Sequence, residues 1–122
     1  MTYAVLATNP ERQEIGIALC TITLNASRIT PLNHGLLPHW NDRGMIVTAQ
    51  ATANPLNAHK IFELWDQGLT FAEIEEELRK LDKFFSWRQL GVVTAGGEIY
   101  GYTGDNTFDH KSHIIGDGSI AV

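Results

Sequence analysis

Basic residues are scarce in this chain of 122. Nine Lys and Arg stand against fourteen Asp and Glu, a formal charge of −5. No basic tract interrupts that balance, so phosphate backbones and anionic membranes have no electrostatic grip on it, and neither nucleic acid nor membrane is an expected partner. Cysteine is scarcer still. The single Cys20 excludes an intrachain disulfide framework and a multi-cysteine zinc site. With nothing electropositive beside it in sequence, Cys20 reads as a small buried core residue. No apolar run approaches the roughly 20 residues of a membrane-spanning helix. The N-terminus has neither a basic nor an apolar signal region, so a cytoplasmic protein is the simplest reading. Among five histidines there is no helical i, i+4 zincin pair and no zinc-finger spacing, so no metal site is expected. The GDG at 116–118 lacks the Lys-Ser/Thr and helix start of a phosphate loop, and nothing else signals a cofactor.

What is present makes one domain over residues 1–122. Hydrophobic residues are 43% of the chain, enough for a single core. Tyr3 to Ala7 and Ile15 to Leu24 read as two strands joined by the polar turn NPERQE, a hairpin. Residues 25–43 read as irregular, with one short strand at Arg28 to Pro31. Gly44 to Ala51 reads as a third strand. Asn54 and Pro55 open a helix whose apolar face is Ile61, Leu64 and Trp65, and Gly68 ends it. Thr70 and Glu73 make a capping box for a second helix, with Phe71, Ile74, Leu78 and Leu81 on one face. RQLGVVT and EIYGYTG flank the turn AGG, and HIIG and GSIAV follow as short strands. Strands, then two helices, then strands again predict an α+β layered domain, a largely antiparallel sheet covered by a helix pair. The final GDGSIAV is apolar and β-favouring, as if a strand were cut, which a truncated chain, a processed chain or a native end buried at an interface would each explain. An unpaired edge there would need covering, which predicts a homo-oligomer.

Three stretches carry candidate chemistry. In TAQATANP, Thr48, Gln50, Thr52 and Asn54 alternate with alanines, which on a strand puts four polar side chains on one face. Such a row suits a substrate amide or an oxyanion. The competing reading gives Asn54 to the helix cap and the threonines to strand propensity. Arg88 opens the next strand. It is suited to a substrate carboxylate, or to pairing with Asp82 or Asp105. His113 lies in HKSHIIG, three residues after His110, and is kept as a polar site candidate.

The stretches TYAVLATNPERQEIGIAL, VTAQATANP, GLTFAEIEEELRKLD, RQLGVVTAGGEIYGYTG and HIIGDG, in this order and spacing, resemble the DUF1028 family. That family is grouped with the N-terminal-nucleophile (Ntn) hydrolases. The resemblance implies stacked β-sheets flanked by helices, an Ntn-like layered sandwich, and hydrolysis of a small amide or acylated amine. It implies Thr2 as the nucleophile once Met1 is removed, with its own α-amine as base. An α-amine titrates near pH 8, so part of it is neutral at physiological pH and can take the hydroxyl proton. Thr48, Gln50, Asn54, Arg88 and His113 would then bind the substrate. The alternative is a catalytically inactive ligand-binding or assembly module of the same fold.

Overall fold

The computed structural model describes residues 2–22 and 38–122. The strand expected at 28–31 lies outside them, as does His34. The α+β layering follows the sequence pattern. β1 (Thr2–Asn9) and β2 (Glu14–Thr21) form the expected hairpin, with Thr2 opposite Thr21 and Asn9 opposite Glu14. β3 (His39–Asn41), in a stretch the sequence pattern leaves irregular, forms a second hairpin with the expected third strand, β4 (Met45–Ala51). Asn41 makes that turn: its side-chain oxygen accepts from the backbone N–H groups of Arg43 and Met45.

α1 (Pro55–Asp66) and α2 (Phe71–Leu81) follow. Asn54 caps α1 through the Leu56 N–H, and Gly68 leaves it at φ +88°. The Thr70–Glu73 capping box closes in both directions. Thr70→Ala is expected to cost about 1 kcal/mol, read as a lower urea midpoint with unchanged slope. One 3-10 turn, Phe85–Trp87, leads into β5 (Arg88–Thr94) and β6 (Ile99–Thr103), and then β7 (Ile114–Gly116) and β8 (Ser119–Ala121) form a last hairpin.

The strands make two antiparallel four-stranded sheets, ordered β2-β1-β8-β7 and β3-β4-β5-β6. The second sheet is covered on both sides. Met45, Val47, Ala49, Leu90 and Val92 pack against Ala58, Ile61, Leu64, Ile74 and Leu78 of the helices. The opposite side meets the first sheet through Ile46 and Val93 on Ala4, Leu6, Ile120 and Val122. Aromatic stacking fixes the helix layer, with Phe71 between Trp65 and Tyr100 at ring separations of 4.5 and 5.3 Å. The Tyr100 hydroxyl donates to Glu75, and burial together with that carboxylate pushes its pKa up.

Three expectations are corrected. Cys20 is exposed, because strand parity puts it with Tyr3 on the outer face of the first sheet, while Leu19 and Ala4 point inward. Leu81, in the last turn of α2, is exposed rather than in the helix seam. GSIAV is no edge: β8 lies between β1 and β7, and Ala4 and Val122 exchange two backbone hydrogen bonds of 2.9 Å. The strand-edge argument for self-association therefore falls away. The outer face of that sheet remains apolar and exposed, with Ala18, Val5, Ala121 and Ile114 in one row across all four strands. Among the described residues no helix is long and apolar enough to cross a membrane.

Candidate active site between the sheets

The layer between the two sheets is apolar at one end and polar at the other. Side-chain alternation sorts it. On β1 the inward positions are Leu6, Ala4 and Thr2, and on β2 Ile17, Leu19 and Thr21. On β4 they are Ile46, Thr48 and Gln50, on β5 Val93, Gly91 and Gln89, and on β6 Ile99, Gly101 and Thr103. From Leu6, Ile17, Ile46, Val93 and Ile99 onward, every inward series changes from apolar to polar or small in the same direction; at the other end of β1, Thr8 has the same parity and donates its hydroxyl to the Thr94 carbonyl. Thr2, Thr21, Thr48, Gln50, Gln89 and Thr103 therefore sit at one end, and His113 joins them from the loop before β7.

Their hydrogen bonds are largely mutual. The Thr2 and Thr21 hydroxyls are 2.9 Å apart. Gln50 Nε2 donates to Thr48 Oγ1 at 3.3 Å. Gln89 Nε2 donates to Thr103 Oγ1 at 3.2 Å and to the Ser112 carbonyl at 2.9 Å. Thr103 Oγ1 lies 2.9 Å from His113 Nδ1. Glycine makes this close approach feasible. A Cβ on Gly101 would come within 2.7 Å of the His113 ring and 2.6 Å of Ile120. Its ladder neighbour Gly91 leaves the space that Val122 and the Thr48 methyl occupy.

A cavity of about 530 Å³ opens at this end. Thr2, Gln89 and Val122 line it from the sheets, and residues 109–113 line it from the loop. Of the sequence candidates, Thr2, Thr48, Gln50 and His113 belong to the inter-sheet side, and Thr2 and His113 line the cavity itself. The residues that sequence reasoning missed are Thr21, Gln89 and Thr103. The alternation of RQLGVVT and EIYGYT could have marked the last two, had their inward face been assigned.

Asn54 and Arg88 are elsewhere. The polar row of TAQATANP breaks at Ala51, whose φ of +64° turns the chain out of β4, so Thr52 and Asn54 do not continue the face of Thr48 and Gln50. Arg88 has the parity of Leu90 and Val92, toward the helices. Its Nε and Nη2 donate to the Asp82 carboxylate at 2.8 and 3.1 Å, and its Nη1 donates to the Thr52 carbonyl. Asn54 and Asn57 donate to the same carboxylate at 3.1 and 2.9 Å. The Arg88 bonds outweigh burial and hold the Asp82 carboxyl far below its usual range. Among the described residues no group of three or more His, Cys, Asp or Glu could hold a metal ion.

The model of DUF1028, a family of unknown function, matches residues 2–122. A crystal structure of a Silicibacter pomeroyi protein assigned to the same family superimposes with a TM-score of 0.82 at 21% identity. The alignment covers 98% of this chain and 50% of that one, so the chain spans about half the length of its structural relative. No curated protein matches the chain.

Proposed function

The chain belongs to the DUF1028 family, and we propose that it is an amide hydrolase of the N-terminal-nucleophile type with Thr2 as nucleophile. The observation that carries this is the position of Thr2. The second residue of the sequence opens β1 with an inward parity and lines the cavity at the polar end of the inter-sheet layer. Removal of Met1 would turn its backbone nitrogen into a free α-amine on the carbon that bears the hydroxyl-carrying side chain.

The chemistry then needs no further base. The neutral amine takes the hydroxyl proton as Oγ1 bonds to the substrate carbonyl carbon, giving a tetrahedral intermediate. That intermediate collapses by breaking the C–N bond, and the ammonium returns the proton to the leaving nitrogen. Water repeats the cycle on the resulting ester and releases the acid. Thr21 holds the Thr2 side chain through its hydroxyl. His113, held by Thr103, forms the neighbouring wall.

The test has two steps. Intact mass and N-terminal sequencing of protein from the native host should show a chain that starts at Thr2. Hydrolysis of a small amide should then fall about 10³-fold or more in Thr2→Ala. The wild-type rate should rise with pH, pass half its maximum near the α-amine pKa of about 8 and level off above it, since only the neutral amine is a base. A chain that keeps Met1 has no such amine. It would sink the catalytic reading in favour of a binding module of the same fold, which the cavity alone supports.

A further inference from the structure

Resting on that reading, we propose that the site selects a neutral primary carboxamide, whose N–H groups donate to the side-chain oxygens of Gln50 and Gln89. Gln50 supplies the first argument. It is 2% exposed, one end of its amide is bonded to Thr48, and its Oε1 has no hydrogen-bond partner. Turning the amide over does not help, because Thr48 offers one hydroxyl and one end of Gln50 is always left over. A buried polar atom without a partner is rare in folded proteins, and this one belongs to the ladder partner of Gln89, which lines the cavity.

Gln89 supplies the second. It stands directly opposite Gln50 in the β4–β5 ladder, on the same inward face, and lines the cavity. Its orientation is fixed, because the Ser112 carbonyl can only accept and so must face the NH₂ group. Both amide hydrogens are spent, on Ser112 and Thr103, which leaves the oxygen to offer. Two neighbouring acceptors suit the two N–H groups of a primary amide.

The charge of the face supplies the third. The side chains of Thr2, Thr21, Thr48, Gln50, Gln89 and Thr103 carry none. On that face an ammonium would find no carboxylate, and with the Thr2 amine in its neutral, reactive form a carboxylate would find no cation, to offset its desolvation. Asp109, His110 and Lys111 line the cavity from the loop, and Lys111 is engaged by the Asp105 and Thr107 carbonyls.

Three probes with the same four-carbon chain test this on the chain that begins at Thr2: butyramide, butyrate and butylamine, with binding read by thermal shift and by ligand-observed NMR. Butyramide should bind at least tenfold more tightly than the other two. Gln50→Met should raise the melting temperature of the free protein, since it removes the unsatisfied atom, and weaken butyramide at least tenfold. Thr2→Ala should keep butyramide binding while losing its hydrolysis. Equal binding of the three probes, no butyramide binding, or full butyramide affinity in Gln50→Met would each overturn the proposal. The probe comparison needs no variant, so a poorly folded Gln50→Met does not rescue it. Butyramide binding without turnover in the unaltered chain would sink the hydrolase reading alone.

Discussion

Replacing Asp82 with alanine should destabilise the protein by about 3–5 kcal/mol, the cost of leaving a buried partner charge uncompensated. Asp82 and Arg88 are 8% and 7% exposed, and they meet in a two-pronged pair. The carboxylate also takes the Asn54 and Asn57 side-chain amides and the Phe84 N–H, at 3.0 Å for the last. It therefore ties the first turn of α1, the end of α2 and the start of β5 to one point. Alanine would strand the guanidinium and two amides in a site that water barely reaches. Urea unfolding measures the loss, and a change below about 1 kcal/mol would contradict this role.

The same pair sets a pH dependence whose sign follows from the direction of the shift. The folded carboxyl titrates below its ordinary value of 3.8. Its contribution is thus complete above the unfolded pKa near 4 and is lost as pH falls from there toward the folded pKa. Asp82→Asn should remove this part of the acid limb. Replacing both partners together, Asp82→Leu with Arg88→Met, should cost much less than either single loss, because no charge is left unpaired.

Local chemistry made most of the layered fold legible. The β1–β2 hairpin, both helix starts and the capping box depend on residues within a few positions of each other, and each was readable as such. β3 was not. It has three residues, and its partner pattern begins only after the Asn41 turn, so no periodicity of its own exists to detect. The face of Cys20 was misread for a different reason. β2 is apolar on both sides, with Ile15, Ile17 and Leu19 inward and Gly16, Ala18 and Cys20 outward, so hydrophobicity alone does not mark the core. The candidate site was half legible. Alternation along one strand placed Thr48 and Gln50 together. Adding Gln89, and Thr103 through the β5–β6 hairpin, required the β4–β5 pairing, which spans dozens of residues and leaves no local trace. Arg88 drew attention by its charge while its neighbour Gln89 held the inward position.

Gly104→Ala should cost about 3 kcal/mol or more, at or beyond the upper end of ordinary overpacking, because nothing near it can yield. A Cβ there would lie 2.1 Å from the Ser86 carbonyl oxygen and 2.5 Å from its carbon, both backbone atoms. The two segments are also pinned against separation. The Gly104 N–H donates to the Arg88 carbonyl at 2.9 Å, and the Asn106 N–H donates to that same Ser86 carbonyl at 3.0 Å. Relief would therefore break backbone hydrogen bonds at the mouth of β5. The damage should reach the site, since Thr103 precedes Gly104 and holds both Gln89 and His113. Loss of butyramide binding should accompany the loss of stability. Gly16→Ala is the control: a Cβ there meets nothing within 4 Å, and its change should stay within about 0.5 kcal/mol. If Gly104→Ala unfolds at the same urea concentration as Gly16→Ala, the close approach of Gly104 to Ser86 is not a constraint in solution. The placement of Thr103 would then need another support.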